Sequence, residues 1–542
     1  MRFEQQISAC SRAAAAVVLS VCLFASAPAV FASEQQQAPP TQAAQQPSTA
    51  TPPQTGNVIR LSQDEAVKLA LEYNLGLSAE QLGPQIQTYA VAGARSAYAP
   101  TLLSSASKSS STNPPGNFLT GTGNTLTNEG FRTSLGFQQL VPWGGGRYSV
   151  AWDGSRGTTS DASSRFNPQL DSNLDFSVTQ PLLRNFWIDS TRQNIMLSET
   201  RQVIADLQLR QAITQTSRQT RIAYFNLINA MAQRTVAQQS LDLARQQYQN
   251  NRRKVEVGTL APIDIVEAEA EVARNEESVI IAEGNIRAAE DVLRTLIMNP
   301  SQPDFWSVRL EPSEQPTLSP QPINVDEAVN NALANRIDIA QLRKEIEETD
   351  IGLRFLRNQK LPAVDLQANY GVVGTAGTQR EFDFNSGVIP PPVLRESQRS
   401  FSDALRDVFG NEFKSWSFSV NFSYPLGTSN ADAALAQSRL QRQQQNTALR
   451  ELEMLVVASV RDAGRNVETA LQRVASTRKA RELAEERLQA EEKRLAVGLS
   501  DTFRSVQAQR DLAAARTSEL NAVILYNRAL IDFEAVQTVP IR

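Results

Sequence analysis

The stretch RRKVEVGTLAPIDIVEAE at residues 252–269 has a counterpart in EKRLAVGLSDTFRSVQAQ at residues 492–509. At an offset of 240 positions, Gly258 falls on Gly498. Each stretch ends a long helical pattern at a glycine and then begins a second helical pattern. The two stretches therefore predict two equivalent helical hairpins in one chain.

A second pair of similar stretches indicates that the duplication covers most of the 542 residues. Residues 64–71 read DEAVKLAL and residues 326–333 read DEAVNNAL, and each copy begins with the pattern of a helix N-terminal capping box. The order of matching stretches is kept while their spacing drifts, which indicates one duplication with loops of different length. We expect a first structural repeat at 58–300, a linker at 301–323 and a second repeat at 324–542.

The N-terminal part has the features of an export signal. Residues 1–32 combine two arginines with the apolar run AAAAVVLSVCLF and a stretch of small residues, which predicts a cleaved signal peptide. Residues 33–57 are rich in Pro, Gln, Ser and Thr, which predicts a disordered leader. Because Cys10 and Cys22 both lie in the signal, the mature chain is expected to contain no cysteine.

The helical patterns are longer than a globular core needs. A helix of 68 residues, as predicted at 190–257 and at 430–497, spans about 100 Å. Two shorter helices placed end to end match that length, which suggests parallel struts. Narrow apolar stripes are also typical of an ordinary coiled coil, and the strands decide between the two. The shorter helices are expected at about 62–98, 261–298, 324–360 and 501–537.

Three stretches alternate between apolar and polar residues, as strands with two different faces do. Residues 414–424 read KSWSFSVNFSY, and residues 363–373 and 172–180 alternate in the same way. A half-buried sheet in a soluble domain and a membrane barrel with a wet lumen share this pattern. An exported chain with no later apolar stretch of about 18 residues favours a barrel in an outer membrane.

Four prolines mark the expected junctions between helices and strands: Pro100, Pro181, Pro362 and Pro425. Proline ends a helix and forces the preceding residue into extended geometry. A strand that begins there continues the helix after a bend, so a helical tube and a barrel need no separate linker. The predicted fold class is an α+β membrane protein with a duplicated helix–strand–strand–helix–helix protomer.

The composition argues against catalysis and against nucleic-acid binding. The chain has no histidine, which excludes Ser-His-Asp triads and His-ligated metals, and its formal net charge is −4. Glu267 and Glu271 have the spacing of an acid–base or metal pair, but on a charge-rich helix we interpret them as solvated. We therefore expect no enzymatic activity, no cofactor and no bound metal.

With these features, above all the two glycine turns that end the long helices, residues 58–537 resemble the TolC-like outer membrane efflux family of outer membrane factors. The resemblance implies a homotrimer whose protomers each give four strands to a twelve-stranded outer-membrane barrel and helices to a periplasmic α-helical barrel. It also implies a passive exit duct of a tripartite efflux or type I secretion system. The implied partners are a periplasmic adaptor, an inner-membrane pump and outer-membrane lipid.

The same resemblance implies that the two glycine turns are periplasmic tips that dock the adaptor. A turn that reverses a helix has its own physical reason to contain glycine, and docking is compatible with that reason. The implied tip residues are Val257, Gly258, Thr259, Leu260, Val497, Gly498, Leu499 and Ser500.

The position six residues after each tip glycine is expected to lie at the periplasmic aperture. The family places an Asp there, which Asp264 satisfies, whereas the second half has Arg504. We expect Asp264 and Arg504 to meet between neighbouring hairpins and to help hold the mouth shut. The opposing interpretation is that both are solvated surface charges, in which case replacing Arg504 by Asp leaves the resting conductance unchanged.

One segment departs from the family layout. Residues 131–157 contain two alternating runs around the turn PWGGG, an extra hairpin without a counterpart in the second half, and whether it joins the barrel is open. Cell-surface loops are expected at 111–130, 158–171 and 374–413. Candidate membrane-interface anchors are Trp143, Trp152 and Trp416.

The alternative function is a periplasmic coiled-coil adaptor or scaffold of an export complex. Such a protein needs one helical hairpin and β-domains that close on themselves. Two matched hairpins and strands with one apolar face favour the duct instead.

Overall fold

The computed structural model describes residues 58–114, 125–314, 322–383, 385–388, 391–427, 429–497 and 499–537. All of them fall within one unit of the fold, Gly56–Arg542. The predicted signal peptide 1–32 and leader 33–57 lie outside the described residues. Among the helices of the described residues, none combines the length and the apolar character needed to cross a membrane.

The helices and strands follow an order that recurs in the two halves. The first half contains β1 (Val58–Leu61), α1 (Gln63–Tyr73), α2 (Leu75–Arg95), β2 (Thr101–Asn113), β3 (Leu126–Leu140), β4 (Arg147–Thr159), β5 (Phe166–Pro181), α3 (Ser190–Glu256) and α4 (Ile263–Ile297). The second half contains β6 (Arg309–Pro312), α5 (Val325–Asn335), α6 (Ile337–Gln359), β7 (Ala363–Phe382), β8 (Val393–Arg399), α7 (Phe401–Phe409), β9 (Phe413–Ser423), α8 (Asn430–Ala496) and α9 (Thr502–Gln537).

The long helices α3 and α8 are the struts against which the shorter helices pack. Each has 67 residues, which corresponds to about 100 Å. α3 contacts α2, α4, α6 and α9, and α8 contacts α6 and α9. The helices therefore lie side by side in the order α2, α3, α6, α8 near the strands and α4, α3, α9, α8 near the glycine turns.

The helices expected over 62–98 and 324–360 are each divided in two, which corrects the prediction. The backbone is extended at Asn74, with ψ of 117°, and at Arg336, with ψ of 131°. The Asn74 side chain accepts a hydrogen bond from the Leu77 amide at 3.0 Å and so caps the second helix. A polar side chain that satisfies a free amide stabilises such a break, and the apolar periodicity continues across it.

Strands of both halves form one antiparallel sheet in the order β2, β3, β4, β5, β7. On the far side of β7, β9 pairs with Ala363–Val373 and β8 pairs with Gly377–Phe382, so these two strands share one position. The hairpin at 131–157 is β3 and β4, which are paired on both sides. The first half thus gives four strands to the sheet, and the expected helix–strand–strand order is wrong there.

The register gives the sheet an apolar face and a polar face. The apolar face carries Val150, Trp152, Leu174, Phe176, Val364, Leu366, Tyr370, Trp416 and Phe418. The polar face carries Ser149, Asp153, Asp175, Ser177, Asp365, Gln367, Asn369, Ser417 and Ser419. Because side chains alternate along a strand, this pairing keeps the two sets apart across the whole sheet.

Loops are expected from the sequence at 111–130, 158–171 and 374–413. Both ends of the first segment are strand, and its residues 115–124 lie outside the described residues. The connection within the second segment is reduced to residues 160–165. The third of these segments contains the end of β7, all of β8 and all of α7, so it is largely ordered. β3 and β4 are joined by a tight turn in which Gly144 and Gly145 have φ of 70° and 68°. Only glycine adopts such angles in succession without strain, which explains the PWGGG segment.

The predicted linker at 301–323 contains a short strand. β6 pairs in parallel with β1, so that Leu61 lies opposite Pro312. The Tyr224 hydroxyl of α3 donates to the Leu61 carbonyl at 3.1 Å, and its ring is fully buried. This contact ties the two short strands to the first long helix, beside a cluster that includes Leu227 and Leu293.

Replacing Leu227 by Ala is expected to destabilise the helical part by about 2–5 kcal/mol, because the side chain is fully buried and leaves a cavity. The shift is measured from the unfolding midpoint followed by circular dichroism at 222 nm. The control is Arg465→Ala, which removes only an exposed ion pair with Asp462 and is expected to change little. Equal shifts for both variants would contradict the assignment of Leu227 to the core.

Candidate functional site

The first tip joins α3 to α4 through residues Val257 to Leu260. Gly258 has φ of 78°, its amide donates to the Val255 carbonyl at 2.9 Å, and the Thr259 amide donates to the Lys254 carbonyl at 2.9 Å. This bond pattern ends a helix at a left-handed residue, a conformation that glycine adopts without a steric penalty. The glycine therefore reverses the chain within a few residues.

The second tip joins α8 to α9 with the same chain reversal. The Leu499 amide donates to the Arg494 carbonyl at 2.9 Å, which repeats the five-residue bond of the first tip. Gly498 lies outside the described residues. The Ser500 hydroxyl donates to the Glu491 carboxylate at 2.8 Å and ties the turn back to α8.

Both tips expose apolar side chains at the ends of the hairpins. Val257 is 73% exposed and Leu499 is 78% exposed, and Val497, Ile263 and Phe503 are exposed as well. Thr259 is exposed, whereas Leu260 and Ser500 are partly buried. Large apolar side chains exposed together at the end of a hairpin are typical of an interaction surface.

Equivalent polar residues brace the two tips from inside, and sequence reasoning missed them. Asn251 and Glu491 each stand seven residues before a tip glycine. Asn251 is buried and donates to the backbone carbonyl of Asp264 at 3.3 Å, while Glu491 accepts from Ser500. The shared offset of 240 was the available signal, although the residue types differ.

A buried carboxylate joins the two hairpins. Glu271 of α4 accepts from Arg274 Nη2 at 2.7 Å and from Arg510 Nε of α9 at 3.2 Å, and its side chain is 10% exposed. Burial raises the pKa of Glu271, but the hydrogen bonds and charges of Arg510 and Arg274 outweigh it and the pKa is lowered. The interpretation of Glu271 as solvated is therefore wrong, whereas Glu267 is exposed.

Asp264 and Arg504 occupy the first turns of α4 and α9. Arg504 is exposed and its guanidinium lies 3.7 Å from the Asp501 carboxylate. Within the described chain no ion pair joins Arg504 to Asp264. Their pairing between neighbouring chains stays a prediction.

The predicted junction prolines lie between helices and strands. Pro100 immediately precedes β2, Pro181 ends β5, Pro362 immediately precedes β7, and Pro425 follows β9 by one residue. Asn185 lies near these junctions, with φ of 68°, and its amide donates to the Asn358 side chain of α6 at 2.7 Å. The connection after β5 is thereby fixed to the end of α6.

An ion pair braces the junctions of the second half. Lys360 after α6 contacts Asp432 in the first turn of α8 at 2.8 Å. The hydrogen bond from Lys360 is the main cause that lowers the pKa of Asp432 to about 2, and the Ser429 cap adds to it. The helix that enters β7 and the helix that follows β9 are thus held together at the sheet.

The Glu271–Arg510 pair is expected to couple the hairpins by about 1.5–3 kcal/mol, the range for hydrogen bonds to charged groups. A double-mutant cycle with Glu271→Gln and Arg510→Gln, measured by chemical unfolding, gives this coupling energy. Because the folded pKa of Glu271 is lowered, the coupling is present above the ordinary Glu pKa of 4.5 and is lost as pH falls through the lowered value. The exposed pair Asp501–Arg504 is the control, for which we expect almost no coupling energy. Additive effects of the two Gln substitutions would contradict the bridge.

Comparison with known proteins places this architecture in a family. The sequence profile of the family described as outer membrane efflux protein matches residues 66–297 and 328–535, one segment in each half. The outer membrane protein TolC of Escherichia coli K12 is 25% identical over 256 residues, which cover 42% of this chain and 50% of TolC. The chain thus spans about half the length of this curated relative.

Solved structures share the fold at low sequence identity. The Campylobacter jejuni CmeC outer membrane channel has a TM-score of 0.63 at 15% identity. The match covers 88% of this chain and 85% of CmeC. The outer membrane protein VceC of Vibrio cholerae has a TM-score of 0.60 at 15% identity, covering 88% and 96%. The open-state MtrE outer membrane channel of Neisseria gonorrhoeae has a TM-score of 0.59 at 17% identity. The match covers 88% of this chain and 88% of MtrE. With two matched segments that together span most of its length, the chain belongs to the outer membrane efflux protein family.

Proposed function

We propose that this chain is the outer-membrane exit duct of a tripartite efflux or type I secretion system. It conducts substrates passively from a periplasmic adaptor and an inner-membrane pump to the outside. The observation that carries the proposal is a sheet with one apolar face, joined directly to helices of about 100 Å that end in exposed apolar tips. The apolar face then meets lipid, the polar face lines a wet lumen, and the helices cross the periplasm.

The sheet requires further copies of the chain to close. Within the described residues β2 pairs only with β3, and β9 pairs only with β7. A strand edge in hydrocarbon leaves backbone groups without partners, so both edges must pair. The chain has six strand positions, an even number, so β2 of one copy runs antiparallel to β9 of the next.

Closure by three copies gives eighteen strand positions rather than the twelve that the family resemblance implies. Strands about 4.8 Å apart and tilted by about 40° occupy about 38 Å of circumference per chain for six positions and about 25 Å for four. The neighbouring row α2, α3, α6, α8 occupies about 32–40 Å, because packed helices lie 8–10 Å apart. Six strand positions therefore match the helical row in width.

A periplasmic adaptor is the less favoured function. An adaptor needs one hairpin and closed β-domains. This chain instead has two helical hairpins, and its two halves both contribute strands to one open sheet. No contact in the described residues specifically favours that alternative.

Cysteine pairs on the polar face are expected to report how the sheet closes. Ser105→Cys in β2 combined with Ser419→Cys in β9 is expected to link neighbouring copies into covalent trimers on a non-reducing gel. The control Ser105→Cys with Ser134→Cys links within one chain, because these two side chains touch at 2.7 Å. Ser105→Cys is also combined with Ser417→Cys and with Asn421→Cys, so that a link is detected if the strand register between copies is shifted by two residues.

A different link would contradict the eighteen-strand closure. If the β3–β4 hairpin lay outside the sheet, β2 would pair with β5, and Ser105→Cys with Ser177→Cys would link within one chain. In the sheet described here β2 and β5 are three strand spacings, about 14 Å, apart, and Ser177 lies four residues out of register with Ser105. This separation is beyond the reach of a disulfide.

The exposed tips are expected to dock the adaptor. Leu499→Asp and Val257→Asp place a charge on the apolar surface of each tip and are expected to abolish export while the trimer still forms and conducts in planar bilayers. Export is measured in cells that lack the chromosomal copy, as growth in the presence of toxic compounds. Leu499→Met is the matched control and is expected to retain export. Full export by both Asp variants would contradict a docking role.

A further inference from the structure

α7 lies on the apolar face of the sheet, the face that the proposed function turns toward lipid. A Cβ added at Gly374 of β7 would lie 2.0 Å from the Ala404 carbonyl oxygen, so the helix backbone touches the strand. The Phe401 ring contacts the Trp152 ring edge-on, with centroids 6.5 Å apart. Ala376 has no exposed surface. A helix thus covers part of a face that is exposed elsewhere.

Ionic and polar contacts fix this helix in place. The Arg399 guanidinium at the end of β8 donates to both carboxylate oxygens of the buried Asp407, at 2.7 and 2.9 Å. It also donates to the Thr375 carbonyl of β7 at 3.2 Å. Just after the C-terminal end of α7, Asn411 has φ of 56° and accepts a hydrogen bond from the Tyr370 hydroxyl. The helix is therefore anchored to β7 and β8.

The orientation of α7 follows the polarity of the sheet. Phe401, Leu405 and Phe409 follow each other at intervals of four and form an apolar flank. Phe401 points to Trp152, which is in register with Val372 and so lies nearer the helices. The opposite flank carries Asp407, which points to Arg399 in register with Gly377, farther from the helices. The apolar flank therefore faces the apolar band of the sheet.

The position of α7 along the strands matches the thickness of an apolar membrane band. From Val364, the first apolar-face residue of β7, to Gly374 beneath α7 there are ten residues, or about 33 Å along the strand. A tilt of about 40° reduces this to about 25 Å, the height of the apolar band of outer-membrane barrels. The helix lies where that band ends.

Cationic side chains appear among the apolar ones at this level of the apolar face. Lys414 precedes Trp416 in β9 and lies farther from the helices. Lys108 of β2 and Arg156 of β4 lie on the same face, on either side of Phe131. Arg406 of α7 is exposed, and its guanidinium lies 3.2 Å from the Asp403 carboxylate in its own helix. Lipid headgroups carry phosphates that exposed Lys and Arg attract, so the charge complements a headgroup layer.

We propose that α7 is an interfacial helix that lies at the hydrocarbon–headgroup boundary of the outer leaflet. Phe409, which is 79% exposed, lies among the acyl chains, and Arg406 lies among the headgroup phosphates. Amphipathic helices adopt this position because each flank meets the medium that it prefers. The inference rests on the proposed function, since it requires the apolar face to meet lipid.

The test is depth-dependent fluorescence quenching in liposomes of phosphatidylethanolamine and phosphatidylglycerol. A fluorophore is attached to Phe409→Cys and, as the control nearer the charged flank of α7, to Arg406→Cys, in mature protein without other cysteines. The label at 409 is expected to lose most of its emission to lipids with a nitroxide near the headgroup end of the acyl chain, and little to aqueous iodide. The label at 406 is expected to show the reverse.

Two outcomes would overturn the inference. Equal iodide quenching at both positions means that α7 lies in water, and shielding of 409 from both quenchers means that it lies against protein. Labels at Trp416→Cys on the apolar face and at Ser417→Cys on the polar face report whether the sheet itself meets lipid. They thereby distinguish a failure of the inference about α7 from a failure of the proposed function. If the label at 416 is not quenched by lipid, the sheet itself does not meet the membrane.

Gly374→Ala supplies a second variant because its Cβ displaces Ala404 and with it α7. In this background the quenching at 409 is expected to lose its depth profile, while the label at 416 keeps its own. Trimer formation on gels reports that the variant folds. An unchanged profile at 409 would contradict the docking of α7 on β7.

Discussion

The two outer strands of the sheet have unpaired edges, and these edges determine how the molecule is proposed to assemble. A helix satisfies its backbone hydrogen bonds internally, whereas β2 and β9 each have one edge that no strand of the described chain covers. In the proposed assembly the sheet is therefore a part of a larger closed structure, completed by further copies of the chain. The duplication provides an even number of strand positions, which lets identical copies pair edge to edge in the antiparallel sense.

The junctions between the strands and the helices allow little movement, so the position of the sheet also fixes the position of the helices. Pro362 connects α6 to β7 almost directly, and Lys360 at the same point contacts Asp432 of α8. Asn185 after β5 is bonded to Asn358 of α6. Because strands of both halves share these anchors, the helical row cannot rotate freely against the sheet. Far from the sheet, Glu271 and Arg510 join the hairpins again, so each chain is braced at both ends.

The parts of the fold that sequence reasoning predicted are those set by local chemistry. Gly258 ends α3 because it adopts a left-handed conformation, and the alternation in β9 is continuous from Trp416 to Phe422, so both were readable. Contacts between residues that are far apart in the chain could not be predicted from the sequence. The placement of the 131–157 hairpin depends on edges contributed by β2 and β5, and the burial of Glu271 depends on Arg510, 239 positions away. The helix breaks were hidden because apolar periodicity continues across Asn74.

The added hairpin changes where the duct is narrowest in the proposed assembly. With four strand positions per chain the sheet would be narrower than the row α2, α3, α6, α8, so the barrel would taper away from the helices. With six positions the two widths agree, and barrel diameter grows with strand number. The constriction then falls at the hairpin tips, where only short turns and the braces at Asn251 and Glu491 set the spacing of the helices. In such a duct the strands serve mainly to meet the membrane, and passage is controlled at the end that faces the pump.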